Sequence, residues 1–243
     1  MLYRIARKSQ SWYGETIGIL ILNAAYPCVP GNVGNGSTFP FPVRYAEVRG
    51  ATIDRLLNQG DPSLAEPFIQ AARQLRDQGV RAITGACGFM ALFQKEVSAA
   101  VDIPVFLSSL MQVPFIHQVT GKTVGIITAN SSCLTPKHFD SCAIPAGLPV
   151  AVAGMEDQQE FREAVLEEKG TLDSSRIEKE VVGVARELVE KSPDVGAILL
   201  ECSDLPPYAA AVQAAVNRPV FDFITMIQYA HSALVRRPFQ GFM

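Results

Sequence analysis

The chain has 243 residues, of which 48% are hydrophobic and 19% charged, and its formal net charge is −3. That length buries a good core, as one large domain or as two lobes of about 110 residues each. The weak acidity gives no electrostatic case for nucleic acid or an anionic membrane surface, and no apolar run approaches the ~20 residues of a membrane helix.

The opening Met1-Leu-Tyr-Arg-Ile-Ala-Arg-Lys is basic without an apolar stretch behind it. It reads as no secretory signal, and the expected compartment is the cytoplasm. Residues 16–22 form a short apolar run between Gly14 and Asn23, as a buried strand does. Residues 23–40 are a long loop dense in Gly, Pro and Asn, a length that is often functional. A second strand is expected over 41–48. Leu64, Phe68, Ala71, Ala72 and Leu75 recur at helical spacing and Gly79 supplies a stop, so 64–77 reads as a helix. A third strand at 80–86 leads into Cys87, a helix at 88–101 and a strand at 104–107. The pattern then restarts with a strand at 122–129. Helical segments follow at 158–168 and 174–191. A strand at 195–200 leads into Cys202, a helix begins near Tyr208, and a strand at 219–221 precedes a last helix at 224–235.

The restart is a duplication. Residues 80–106 align without a gap on 195–221 at an offset of 115, with 11 of 27 positions identical, Cys87 and Cys202 among them. Unrelated segments of ordinary composition would share roughly two or three. A weaker echo at an offset of 107 pairs Thr16, Gly18, Ile19 and Asn23 with Thr123, Gly125, Ile126 and Asn130. Alternating strands and helices imply βαβ units. The fold class is therefore α/β: two pseudo-symmetric lobes, each a mostly parallel four-stranded sheet flanked by helices, with the active site at their interface. The first lobe spans 1–107, with the segment 223–243 packing back on it, and the second spans 108–222.

Five cysteines with no Cys-x-x-Cys spacing argue against a disulfide framework and structural zinc. Cys87 and Cys202 each follow a strand and open a helix, where parallel sheets hold ligands and where the helix amino end favours a thiolate. Two such thiols across an interface suit proton transfer at a carbon acid: one removes a proton and the other delivers one to the opposite face. Cys142 reads as structural, while Cys28 and Cys133 lie where they could line a pocket. Asn23, Asn130, Ser131 and Ser132 sit past equivalent strand ends, where they cap turns or present donors to a substrate carboxylate. Ser203 either supports the Cys202 thiolate or caps a helix. Asp204 suits a helix dipole but would raise a nearby thiol's pKa. Arg44 either clamps a carboxylate or points to solvent. His117, His138 and His231 show no ligand spacing. Gly31-Asn-Val-Gly-Asn-Gly does not open a helix and is no phosphate motif.

With Gly85-Ala86-Cys87-Gly88-Phe89, Glu201-Cys202-Ser203-Asp204 and the duplicated halves, the chain resembles the aspartate/glutamate racemase superfamily. That group also contains hydantoin racemases, arylmalonate decarboxylases and maleate isomerases. The resemblance implies a cofactor-independent enzyme without a metal that acts on a small carboxylate, with a homo-oligomer compatible with it. It adds Gly88 and Phe89 to the substrate-binding candidates, since the familiar amino-acid racemases carry Asn-Thr there. They carry Thr-His or Thr-Glu where this chain has Ser203-Asp204. The expected activity is two-thiol racemisation or epimerisation of an amino acid or related carboxylate, an isomerase. The alternatives are a lyase or cis–trans isomerase that needs one cysteine, and a binding protein that kept the fold.

Overall fold

The computed structural model describes residues 2–5 and 10–243; the basic opening segment lies partly outside them. Eight strands form two four-stranded parallel sheets of identical topology. The first has the order β2-β1-β3-β4, built from β1 (Ile17–Ile21), β2 (Val43–Glu47), β3 (Ala82–Gly85) and β4 (Val105–Phe106). The second has the order β6-β5-β7-β8, from β5 (Thr123–Thr128), β6 (Val150–Gly154), β7 (Val195–Leu200) and β8 (Val220–Phe221). The registers repeat as well. Gly18 of β1 pairs with Arg44 and Ile83, and Gly125 of β5 pairs with Ala151 and Ile198. The two offsets seen in the sequence therefore hold together in three dimensions.

The middle strands β1, β3, β5 and β7 are buried on both faces, which is why they read as continuous apolar runs rather than alternating ones. Helix α1 (Ala65–Asp77) turns Phe68, Ala71, Ala72 and Leu75 inward. Leu75 and Val80 press so closely on Gly18 that a β-carbon there would lie 2.9 Å from Leu75. Helix α6 (Ser174–Lys191) repeats the arrangement with Leu188 and Val195 on Gly125. The remaining helices are α2 (Gln94–Ala100), α3 (Val113–Thr120), α4 (Pro136–Ser141), α5 (Gln159–Phe161), α7 (Ala209–Val216) and α8 (Phe223–Leu234). The opposite faces are covered by exchange. Helix α3 follows β4 of the first sheet, yet Val113 and Ile116 pack with Val124, Ile126, Ala197 and Leu199 of the second. Helix α8 follows β8, yet Phe223, Met226 and Ile227 pack with Ile17, Ile19, Ala82 and Phe106 of the first.

Some elements differ from the sequence reading. Residues 88–101 are a 3-10 stretch, Gly88–Phe93, before α2 begins. Residues 158–168 combine the single turn α5 with a π-helical turn, Arg162–Leu166. Its counterpart Asp54–Asn58 is π-helical too. Strand β6 went unread because its core is Ala and Val between Pro-Gly-rich flanks, with no β-rich run to mark it; α3 and α4 went unread as well. The last helix stops at Leu234, and 235–243 are not helical.

Candidate active site

Both cysteines leave the carboxyl ends of the middle strands, and equivalent hydrogen bonds aim them. Ala86 N donates to Leu20 O at 2.9 Å, and Glu201 N donates to Ile127 O at 2.8 Å. Immediately beyond, the two segments meet across the lobes. Ser203 Oγ, after Cys202, donates to Ala86 O, before Cys87, at 2.7 Å. Reciprocally, Gly88 lies against the backbone and carboxyl of Glu201; a β-carbon at 88 would overlap Glu201 Oε1 and come within 2.7 Å of Glu201 O. Residue 88 must be glycine because the second copy carries Glu201 where the first carries Ala86. Ser203 thus ties the lobes together, and Gly88 is a close-approach position.

Around Cys202 the site is a hydrogen-bonded acidic cluster. Cys202 Sγ donates to Asp204 Oδ2 at 3.3 Å. The same oxygen accepts from Tyr26 Oη at 3.3 Å, and Asp204 Oδ1 accepts from Asn32 Nδ2 at 2.5 Å. Asn32 is itself held, since its Oδ1 accepts from Gly34 N at 2.6 Å, and the loop is pinned by Val33 N donating to Ser203 O at 3.3 Å. Glu201 is fully buried; Oε2 accepts from Thr128 Oγ1 at 2.8 Å, while Oε1 has no partner. Among the described residues neither Asp204 nor Glu201 has a cationic ion-pair partner.

Burial without a counter-cation sets the protonation equilibria. Burial raises Asp204 against the pull of its hydrogen bonds, and raises Glu201 to about 7. Burial, then Asp204 and Glu201, push the Cys202 thiol well above its ordinary range. Burial, then Glu201, do the same to Cys87, opposed by the backbone N–H groups of Phe89 and Met90. The Tyr26 phenol is raised by burial and then by Asp204, Cys202, Cys28 and Cys87. Beside this cluster is a cavity of 270 Å³ whose walls include Leu22, Ala24, Tyr26, Cys28, Asn32, Tyr45 and Ala86.

The other sequence candidates are distributed as follows. Asn23 is exposed at the end of β1, with its backbone N–H on Ala51 O. Phe89 is buried in the core, edge-on to His138, and is not a surface for substrate. Asn130 caps a turn, accepting from Ser132 N at 3.0 Å and Ser132 Oγ at 2.6 Å. Ser131 donates to Glu156 at 2.5 Å. The trio is therefore engaged locally and not by the cysteine segments. Arg44 is engaged elsewhere: its Nε donates to Glu15 at 2.6 Å and its guanidinium covers Trp12, on the edge strand beside the middle of β1. Cys28 lines the cavity, Cys133 lies 3.8 Å from Asn58 Oδ1, and Cys142 is buried in the core.

Sequence reading missed Tyr26, Asn32 and the buried role of Glu201, and left Asp204 out of the site. The signal for Glu201 was present: a carboxylate ends the otherwise apolar Ile198-Leu-Leu run. Tyr26 and Asn32 fall inside the flagged loop, but only the fold aims them at Asp204.

A dimethylsulfoniopropionate lyase from Durusdinium sp. clade D is 32% identical over 233 residues, covering 92% of this chain and 76% of that protein. Dimethylsulfoniopropionate lyase 7 of Emiliania huxleyi (strain CCMP1516) is 32% identical over 92% of this chain and 68% of that protein. The chain belongs to the dimethylsulfoniopropionate lyase family. It spans less of some relatives: 61% of lyase 3 from the same strain of E. huxleyi. No family model matches. The fold likeness runs to an arylmalonate decarboxylase, at TM-score 0.62 and 18% identity over 90% of this chain and 92% of that one. It also includes an aspartate racemase homologue from Pyrococcus horikoshii OT3, at TM-score 0.55 and 18% identity over 89% and 99%. The aspartate/glutamate racemase fold and the two-lobe α/β architecture are thus shown. The racemase and isomerase expectation is corrected, because the relatives that carry the sequence likeness are lyases. The fold alone had suggested symmetric proton transfer. No helix among the described residues is long and apolar enough to cross a membrane.

Proposed function

We propose that this chain is a lyase that cleaves dimethylsulfoniopropionate by β-elimination, with Cys202 as the base. The observation that carries this reading is the Cys202 Sγ–H donated to Asp204 Oδ2 at 3.3 Å, in a chain of this family. A thiol within hydrogen-bond reach of an acceptor is the usual arrangement of an activated base or nucleophile. The pair titrates as a unit. When the proton passes to Asp204, the site holds a thiolate beside a neutral acid and its total charge is unchanged.

The thiolate removes a proton from the carbon next to the substrate carboxylate. The C–H electron pair becomes the new C=C bond, and the C–S bond breaks with its pair on sulfur. Acrylate and dimethyl sulfide leave, and the proton remains on Cys202 until solvent takes it. Dimethyl sulfide departs as a neutral molecule and needs no acid. One thiol therefore suffices, in contrast with racemisation, where a second must return a proton to the opposite face. The small carboxylate is the only partner the reaction requires.

The test is direct. Purified protein supplied with dimethylsulfoniopropionate should release dimethyl sulfide into the headspace and acrylate in equal amount. Absence of both products at every pH, or full activity in Cys202→Ser, would overturn the proposal.

A further inference from the structure

We infer that the cavity walled by Tyr26 and Tyr45, with Asp204 behind it, is a subsite for a methylated onium group, and that Asp204 determines the preference for a cationic over a neutral substrate. The inference rests on the lyase reading for its choice of substrate, but its test does not depend on turnover.

Four observations converge. First, the cavity wall and the Asp204 carboxylate are continuous. Tyr26 and Asn32 line the cavity, and their polar ends both donate to Asp204. Second, that carboxylate is buried and has no cationic partner among the described residues. Buried charges are ordinarily paired, so a ligand cation completes what the chain leaves open. Third, the wall chemistry suits methyl groups on a charged centre. Leu22, Ala24 and Ala86 are apolar, and Tyr26 and Tyr45 put two aromatic side chains, the kind that attract onium groups, in the wall. Fourth, the cation next in sequence to Tyr45 is engaged elsewhere: Arg44 is held by Glu15 and Trp12. At 270 Å³ the cavity sits at the small end of ligand sites, which run to roughly 300–1,000 Å³. A small zwitterion matches it. The negative charge persists wherever the Cys202–Asp204 proton sits, so base and onium subsite work together: cation binding offsets the charge that opposes the thiolate.

The probe pair is 3-(trimethylammonio)propanoate, whose amine is a poor leaving group, and 4,4-dimethylpentanoate, its uncharged-head isostere. Calorimetry on the full chain should show the cation binding at least about tenfold more tightly. In Asp204→Asn that ratio should fall towards one, and in Tyr26→Leu it should fall in part. Tyr26→Leu also serves if Asp204→Asn does not fold, which a thermal melt reports. Equal binding of the two probes by the wild-type chain, or an undiminished ratio in both variants, overturns the inference. The two readings fail separately. Asp204-dependent cation binding without dimethyl sulfide release leaves the subsite standing and removes the lyase. Dimethyl sulfide release with an unchanged ratio does the reverse.

Discussion

Cys87 and Cys202 occupy equivalent ends of equivalent strands, yet their surroundings are opposites. Cys87 is half-buried and opens a 3-10 turn, with Met90 N donating to its backbone oxygen at 3.1 Å. Cys202 is buried and donates to a carboxylate that is itself gripped by Tyr26 and Asn32. A duplication supplies two thiols; it does not supply two bases. Only one of the pair donates to a side-chain acceptor, an asymmetry that suits a reaction run by a single base.

Cys202→Ala should lower kcat for elimination by about 10²–10⁴-fold, the usual worth of a general base. Cys87→Ala should lower it far less, and equal losses in steady-state kinetics would restore a two-thiol mechanism. Gly88→Ala should destabilise the fold by about 1–3 kcal/mol or more in denaturant titration, since the new methyl meets Glu201. Adding Glu201→Ala should recover only part, because the backbone oxygen of residue 201 stays within 2.7 Å.

The pH dependence should follow the charges. Both thiols are raised, so kcat/KM should climb with pH through and beyond the ordinary thiol range. Asp204→Asn removes both the acceptor of the Cys202 proton and a negative charge beside the sulfur, so kcat should fall while the alkaline limb of the residual activity moves to lower pH and KM increases. A limb that stays put would detach Asp204 from the thiol. Glu201 tests stability instead. Its folded value of about 7 lies above its ordinary 4.5, so the folded state binds the extra proton. Its contribution is present below 4.5 and lost as pH rises to about 7. The melting temperature should therefore fall across that window, and Glu201→Gln should flatten the fall. Arg44→Ala gives the smallest effect: kcat/KM unchanged, and stability within about 1 kcal/mol, as for other partly exposed ion pairs.

Much of this was legible in the chain. The offsets of 115 and 107 carried the pairing of Cys87 with Cys202 and of Gly18 with Gly125, because repeated sequence repeats its register. Strand β6 was not legible, since it is a half-exposed edge strand of Ala and Val with no buried apolar run to mark it. Arg44 was not either: whether a cation meets a ligand or Glu15 depends on residues 29 apart in sequence. The sequence by itself determined a duplicated α/β chain with two thiols at strand ends, because periodicity and local spacing encode strands, helices and repeats. Only the tertiary structure decided which thiol has an acceptor. Tyr26 and Asn32 lie 178 and 172 residues from Asp204, and what brings them together is the closing of two lobes, which no local pattern records.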